Sequence, residues 1–324
     1  MTIALRVLLL LWAFLISASD LHAQSWPSRV IKLIVPTGPG AATDVMSRLL
    51  SEGISGNLGQ PVVVENMPGA SGIVAHEFVG RAAPDGYVLL FTNTSGMAIN
   101  PISFKALPYD PIRDFAPVAM VCSLGPQMLS VNADLPVKTL PEFIAYAEAH
   151  RGKLSIGFDT TAGAAAFAAK LLNKRADLGL VEVRYRSAGQ MSQDVASGIN
   201  QVMMSSIAAA NAMVQTGKIR PIAITSGKRF PGLPDLPTLN EKIPGVIVDG
   251  FFAIVAPAGT PPNVIARLNH EIGAYLNGSY IQQKLLSFGL ATEGAGAPES
   301  TGEFIRREQE RWRTLAKELD VQPQ

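Results

Sequence analysis

The sequence predicts an α/β fold built from two units that face each other across a ligand cleft. Strand-like apolar runs alternate with helix-like runs in βαβαβ order, which implies parallel sheets covered on both faces. The 324 residues are long for one core and suit two domains. Each half also has a small-residue turn after a strand, where open α/β sheets bind ligands.

The first unit opens with a strand and a helix that are joined by a glycine-containing turn. Its apolar and helix-like runs then alternate up to a third strand. The predicted elements are a strand over 30–35, a helix over 43–54, a strand over 62–64, a turn over 68–72, a helix ending near 81 and a strand over 87–91.

The second unit begins near residue 125 and repeats this alternation. Thr139 and Glu142 form a capping box, so a helix is expected to start there with Leu140, Phe143, Ile144 and Ala147 on its apolar side. The alanine-rich run 164–174 is a second helix. The predicted strands are 127–133, 153–159, 181–187, 201–206 and 221–226.

The last part of the chain is predicted to hold one strand within 250–262 and two helices. Apolar residues recur every four positions in the first helix, which is typical of a core-facing stripe. They are Val264, Leu268, Ile272 and Leu276. The final helix, about 298–319, is expected to bury Phe304, Trp312, Leu315 and Leu319.

The N-terminus resembles a secretory signal. Arg6 precedes ten apolar residues from Val7 to Ile16, which is a length typical of a signal-peptide core and too short for a membrane span. Cleavage is predicted near Ala23, so that residues 1–23 are removed and the mature chain is exported. An uncleaved anchor is the alternative.

Composition argues against nucleic-acid binding and against an internal disulfide. The formal net charge is +1, and no basic run or aromatic-interleaved basic patch is present, so nucleic-acid binding is not expected. A single cysteine, Cys122, cannot form an internal disulfide and is predicted to be a small buried side chain.

The turn "VPTGPGAATD", residues 35–44, is the first candidate binding element. A strand, a small-residue turn and a helix start aim backbone N–H groups at an anion. The spacing Gly38-x-Gly40-x-x-Thr43 lacks the third glycine of a dinucleotide loop, and no Lys follows as in a phosphate loop. A carboxylate needs fewer hydrogen-bond donors than a phosphate and therefore fits this turn better. An ordinary turn with Thr43 as helix cap is the alternative.

Two more polar turns can serve the same ligand. Thr94 and Ser95 follow the third strand, and Thr160, Thr161 and Gly163 follow a strand in the second unit. Each set can instead hydrogen-bond its own backbone. Arg184 or Arg186, near the end of a strand, can grip a carboxylate bidentately or face solvent.

Catalytic residue patterns are scarce. His76, His150 and His270 match no metal-ligand spacing and are predicted to be surface residues. No G-x-S-x-G nucleophile motif occurs. The sequence therefore nominates no catalytic residue, metal ligand or cofactor.

Taken together, these segments resemble the periplasmic solute-binding receptors of tripartite tricarboxylate transporters, often called Bug proteins. The matching segments run in family order over nearly the whole mature chain. They include "WPSRVIKLIVPTGPGAATDVMSRLL", "LGQPVVVENMPGASGIVA", "AAPDGYVLLFTNTSGMAINP" and "FFAIVAPAGTPPNVIARLN".

The resemblance implies a two-domain venus-flytrap fold of the type II periplasmic-binding kind. Domain 1 is expected to comprise residues 24–125 and 251–324 and to anchor a carboxylate. Domain 2, residues 126–250, is expected to select the rest of the ligand. Two chain crossings between the domains form the hinge.

The resemblance also implies which residues bind the ligand, largely through backbone N–H groups. Gly40, Ala41, Ala42, Thr43 and Asp44 match the family's first turn. Thr94 and Ser95 match the second turn, and Thr160, Thr161, Ala162, Gly163 and Ala164 match the turn of the second domain.

Some positions depart from the family pattern. The first turn usually reads Pro-Pro-Gly-Gly, whereas residues 38–41 read Gly-Pro-Gly-Ala. A common Pro-Tyr-Lys-Gly stretch is replaced at 184–187, and a frequent acidic residue is replaced by Gln201. We expect Arg186 to contact a second charged group of the ligand.

The sequence thus predicts a periplasmic receptor that captures a small organic carboxylate by hinge closure and passes it to membrane transport subunits. It is expected to be a monomer without enzymatic activity. A periplasmic sensor that docks to a signalling protein is the first alternative, and an exported enzyme that uses the same cleft is the second.

Overall fold

The computed structural model describes residues 26–123, 125–159 and 163–323. The predicted signal segment, residues 1–23, lies outside the described residues. None of the helices in the described part of the chain is long and apolar enough to cross a membrane.

The first part of the chain alternates strands and helices as predicted. A π-helical turn, Ser95–Ile99, leads into α3. The elements are β1 (Ile31–Val35), α1 (Ala42–Leu58), β2 (Val62–Asn66), α2 (Ile73–Gly80), β3 (Val88–Asn93), α3 (Asn100–Ser103) and β4 (Phe115–Cys122).

The middle of the chain continues the alternation with shorter helices. Its elements are β5 (Gln127–Asn132), α4 (Leu140–Ala149), β6 (Ser155–Asp159), α5 (Ala164–Ala176), β7 (Val181–Tyr185), α6 (Ala188–Ala196), β8 (Val202–Ser206), α7 (Ile207–Gln215) and β9 (Ile219–Ile224). The chain then ends with β10 (Phe252–Pro257), α8 (Pro262–Leu276), α9 (Ser279–Ser287) and α10 (Pro298–Glu318).

These strands form two five-stranded sheets, which confirms the predicted two-unit α/β fold. The first sheet has the order β2-β1-β3-β10-β4, and the second has the order β7-β6-β8-β5-β9. We call each sheet with its helices a lobe. The chain crosses to the second lobe between Cys122 and Gln127 and returns between Ile224 and Phe252.

The sheets are mixed, so the expectation of parallel sheets was wrong for one strand in each. β1 pairs parallel with β2 and β3, but β10 is antiparallel to β3 and β4. In the second sheet β5 is antiparallel to β8 and β9. Both exceptions follow a crossing. Such a strand starts at the edge where the parallel strands end and therefore runs in the opposite direction.

The predicted cap of α4 and the predicted apolar stripe of α8 are both confirmed. The Thr139 hydroxyl caps α4 by accepting a hydrogen bond from the N–H of Glu142 at 3.3 Å. The four residues of the predicted stripe on α8 are all buried. Cys122 is buried, as expected, and burial raises the pKa of its thiol to about 12.

Helix α10 connects the two lobes. Trp312 is fully buried, and its ring packs edge-on against Phe167 of α5 with ring centroids 5.0 Å apart. Arg175 of α5 donates two hydrogen bonds of 2.8 Å to the carboxylate of Glu318. In the first lobe, the side-chain amide of Gln309 donates to the carbonyl of Met97 at 2.7 Å. The helix therefore contacts both lobes.

Candidate functional site

A cavity of about 170 Å³ lies between the lobes and receives residues from both of them and from both crossings. The N-terminal ends of three helices reach it through Ala42 of α1, Ala164 of α5 and Ile207 of α7. First-turn N–H groups have no partner within their own helix, so these ends offer hydrogen bonds to an anion.

The first N–H groups of α1 lack hydrogen-bond partners in the turn that precedes the helix. Ala41 is its N-cap and gives no side-chain cap. Within the described residues, no acceptor bonds the N–H groups of Ala42 and Thr43. Thr43 is buried, and its hydroxyl bonds that of Thr37. The turn therefore offers the N–H groups of Ala42 and Thr43 as donors, and Ala42 lines the cavity.

Asp44 is a structural residue of this turn. Its buried carboxylate accepts hydrogen bonds from the N–H of Gly40 at 2.9 Å, Nε of Arg48 at 3.0 Å and Nδ2 of Asn66 at 2.8 Å. Burial acts to raise the pKa of Asp44, but the bonds from Arg48, Gly40 and Asn66 outweigh it and lower the pKa. The negative charge of Asp44 thus stabilises the turn, and Arg48 compensates that charge.

Thr94 and Ser95 both line the cleft, where they have different partners. The Thr94 hydroxyl accepts a hydrogen bond from the N–H of Phe251 at 2.7 Å, and the Thr94 N–H donates to the Phe251 carbonyl at 3.2 Å. Thr94 therefore ties the third strand to the second crossing. The half-buried Ser95 hydroxyl has no partner among the described residues and is the better donor for a ligand.

Of the other predicted site residues, some lie at the cleft, some are exposed away from it, and three lie outside the described part of the chain. Ala164 lines the cleft and Gly163 is the half-buried N-cap of α5. Thr160, Thr161 and Ala162 lie outside the described residues. Arg186 is exposed just after β7, the edge strand of the second sheet, and is not among the lining residues. Arg184 is exposed as well.

Several residues of the lining were not predicted from the sequence. Asn93, Gln127 and Ser206 add polar groups, and Phe252, Phe288 and Leu290 add apolar ones. Ser206 ends the buried strand β8 and caps α7, so it carries nearly the same signal that identified Thr94. The apolar residues carry no local signal, because any core position looks the same in sequence.

His76 was predicted to lie at the surface and is fully buried instead. Nδ1 lies 2.8 Å from the Gly72 carbonyl, which can only accept, so Nδ1 carries the proton. Nε2 then accepts from the Thr92 hydroxyl at 2.8 Å. The ring lies under the Ser95 turn, where a Cβ on Gly96 would be 2.0 Å from Nε2. His76 therefore supports the turn from below.

Burial lowers the pKa of His76 to about 4, and the bond to Gly72 only partly opposes this. Because the unfolded chain binds the proton near pH 6.5, stability due to neutral His76 is present above that pH and is lost as pH falls towards 4. We expect this to remove about 3 kcal/mol. The measurement is urea unfolding of wild type and His76→Gln from pH 7 to 4.

The gap between these two proteins should shrink as the pH falls. The exposed His270→Gln variant is the matched control, and its gap from wild type should stay constant. A constant gap for His76→Gln would contradict the buried neutral ring.

The family model described as "Tripartite tricarboxylate transporter family receptor" matches residues 46–321. The chain belongs to this receptor family. The predicted resemblance is therefore confirmed, and it covers most of the chain.

Several relatives of the receptor are similar over nearly their whole length. BugT of Bordetella pertussis is 31% identical over 303 residues, which cover 93% of this chain and 92% of BugT. The structure of R. palustris Rpa4515 with adipate is 30% identical, with a TM-score of 0.82, and covers 92% of this chain and 100% of that one. The structure of MatC from Rhodopseudomonas palustris with bound malate is 29% identical, with a TM-score of 0.75. The match covers 90% of this chain and 99% of MatC.

These likenesses confirm the two-lobed periplasmic-binding fold and the chain's place in a family of solute-binding receptors. Its relatives are binding proteins rather than enzymes.

Proposed function

We propose that this receptor captures a small organic carboxylate in the cleft between its lobes and delivers it to the membrane subunits of a tripartite tricarboxylate-type transporter. The observation that carries the proposal is a cleft whose donors are helix N-termini and hydroxyls from both lobes. Such donors suit a singly charged anion, and Rpa4515 and MatC were solved with carboxylates.

The ligand acts by favouring a closed arrangement of the lobes. A ligand that contacts both lobes binds the closed form better than the open form and shifts the population towards it. The lobes of this proposal are residues 24–125 with 251–324, and residues 126–250. The positions of the two crossings support this division.

The first test is a thermal-shift screen of the mature chain after unfolding and refolding, which removes any bound ligand. A ligand at 100 times its Kd adds about 2.7 kcal/mol to the stability. Carboxylates should raise the midpoint, whereas phosphates and sugars should not. A shift with phosphates or sugars and none with any acid would refute the proposal.

Ser95→Ala tests the binding residues. The lost hydroxyl donates to a charged acceptor, a bond typically worth about 1.5–3 kcal/mol, so affinity should fall by at least tenfold. Stability should hardly change, because the hydroxyl has no partner among the described residues. Calorimetric titration gives the affinity, and urea unfolding gives the stability.

Ser187→Ala is the matched control for Ser95→Ala. Ser187 caps α6 by accepting from the N–H of Gln190, and it lies outside the cleft lining. Its loss should cost about 1 kcal/mol of stability and leave affinity unchanged. If both variants behave alike, Ser95 does not bind the ligand.

Three further parts of the proposal have direct tests. Export to the periplasm with cleavage near Ala23 predicts that N-terminal sequencing of the periplasmic protein begins near Gln24. Capture without turnover predicts that the acid is recovered unchanged after incubation. Uptake of the labelled acid should stop when the gene is deleted; loss of a transcriptional response with intact uptake would favour the sensor.

A further inference from the structure

The turn that carries Ser95 is fixed through its next residue, Gly96. The Gly96 N–H donates to Oδ1 of Asn93 at 3.1 Å, and the Gly96 carbonyl accepts a hydrogen bond from the Tyr109 hydroxyl at 2.7 Å. No acceptor among the described residues bonds the Ser95 N–H. Both polar groups of Gly96 are thus engaged inside the lobe, whereas the N–H and the hydroxyl of Ser95 are available to a ligand.

Tyr109 is buried and held in place by aromatic contacts. Its side chain is 5% exposed, and its ring stacks on that of His76 with centroids 4.9 Å apart and packs edge-on against Phe115. Burial raises the pKa of Tyr109 to about 12, and the hydrogen bond from Asn100 only partly opposes this. The phenol therefore stays protonated. Because a carbonyl can only accept, the hydroxyl proton lies on the bond to Gly96.

Asn100 fixes the direction of this hydroxyl. Its Nδ2 donates to the Tyr109 hydroxyl and to the Ser71 carbonyl, both at 3.1 Å, so both amide hydrogens are engaged. Asn100 is fully buried, and its Oδ1 has no partner among the described residues. The Tyr109 oxygen thus accepts from one side and donates on the other, in a continuous chain of hydrogen bonds.

The Ser71 carbonyl belongs to a turn with an unusual backbone. Ala70 and Ser71 have φ of +46° and +56°, a left-handed conformation that residues with a Cβ rarely adopt. The same turn contacts the first binding turn, because a Cβ on Gly72 would be 2.9 Å from the Cβ of Pro36. Asn100 therefore bonds a segment beside the first binding turn as well as the tyrosine that fixes the second.

We propose that Tyr109 is a positioning residue for ligand binding: its hydrogen bond to the Gly96 carbonyl holds Ser95 in the orientation that binds the carboxylate, and Asn100 orients the Tyr109 hydroxyl. The inference rests on the proposed function, because it concerns a turn to which the carboxylate is assigned. Neither Tyr109 nor Asn100 is among the lining residues, so both act through the turn. A turn that is ordered before binding loses less entropy when the ligand arrives.

Tyr109→Phe removes the hydroxyl and keeps the ring. A neutral hydrogen bond changes an equilibrium constant by up to about tenfold, and affinity falls with the fraction of molecules whose turn is ordered. The Kd should therefore rise about three- to tenfold. The measurement is calorimetric titration of the refolded mature protein with a panel of mono-, di- and tricarboxylates that includes acetate, benzoate, succinate and citrate.

Tyr87→Phe is the matched control. The Tyr87 hydroxyl accepts from the Ser28 N–H at 2.9 Å, and Tyr87 is not among the lining residues. Its Kd should equal that of wild type. An unchanged Kd in Tyr109→Phe overturns the positioning role and leaves the proposed function intact. If wild type binds no member of the panel, the proposed function and this inference both fail.

A double-mutant cycle separates positioning from a general loss of stability. One of the two positioned donors is already absent in Ser95→Ala, so the factor by which Tyr109→Phe raises the Kd should be at least twofold smaller in that background. An equal factor in both backgrounds overturns the action of Tyr109 through Ser95. Asn100→Ala keeps the phenol and should also raise the Kd; an unchanged Kd there overturns the orienting role of Asn100.

Hydrogen exchange of the ligand-free protein measures the order of the turn directly. The Asn100 N–H donates to the Ser95 carbonyl and therefore reports whether the turn is closed. In Tyr109→Phe this amide should exchange at least tenfold faster than in wild type, while the amides of α8 should be unchanged. Exchange at the wild-type rate would show that the hydroxyl does not order the turn and would overturn the inference.

Discussion

Trp312→Ala will lower the free energy of unfolding by about 3–5 kcal/mol, the usual cost of removing a large buried aromatic ring. Trp312 is fully buried on α10 and contacts Phe167 of the other lobe edge-on. Its Nε1 also donates to the Glu308 carboxylate at 3.2 Å. The lost free energy therefore includes the cost of a cavity between the lobes as well as the transfer free energy of the ring.

Urea unfolding measures this loss, and two further variants apportion it. Trp312→Phe keeps an apolar ring and should lose distinctly less than the alanine variant. A double-mutant cycle with Phe167→Ala should give a coupling energy of about 0.5–1.5 kcal/mol, as for other aromatic pairs. A loss below 1 kcal/mol for Trp312→Ala would contradict a structural role of α10 between the lobes.

Asp249→Asn will stabilise the protein at alkaline pH. Asp249 lies on the second crossing, bridges to Pro126 of the first, and has a buried Oδ1 with no partner among the described residues. Burial raises the pKa of its carboxyl to about 7; the charge of Arg311 lowers it and that of Glu308 raises it. The hinge therefore contains a carboxylate that is costly to ionise.

The direction of the pH effect follows from this raised pKa. In the unfolded chain the carboxyl ionises near its ordinary value of 3.8, so between that pH and about 7 the folded state binds the extra proton. The stabilising contribution is complete below 3.8 and is lost as pH rises through 7. The loss amounts to about 4 kcal/mol at pH 8. An asparagine cannot ionise and should avoid it.

Unfolding of wild type and Asp249→Asn should therefore coincide near pH 4 and diverge up to pH 8, with the variant more stable. Asp110→Asn is a control of opposite sign, because backbone hydrogen bonds from Arg113 and Ile112 lower the pKa of Asp110. That variant should lose stability relative to wild type as pH rises. Parallel curves for Asp249→Asn and wild type would contradict a buried carboxyl at the hinge.

Local sequence patterns determined much of the fold. The alternation of strands and helices, the Thr139 cap and the stripe on α8 are recorded in residues close together in the chain. Their physics is short-ranged, because a cap needs one hydroxyl three residues from an N–H and an apolar stripe needs a period of 3.6. The same is true of the small-residue turns that place Ala42 and Ser95 at the cleft.

Tertiary structure alone decided the reversed strands, the burial of His76 and the apolar lining of the cleft. β10 is antiparallel because of where the chain returns, and no pattern within it shows this. His76 is buried because Gly96, twenty residues away, leaves space for its ring. The backbone at Gly289 approaches Ile207 of the other lobe so closely only because a glycine stands there. Contacts between distant segments depend on the packing of the whole chain, so local periodicity does not encode them.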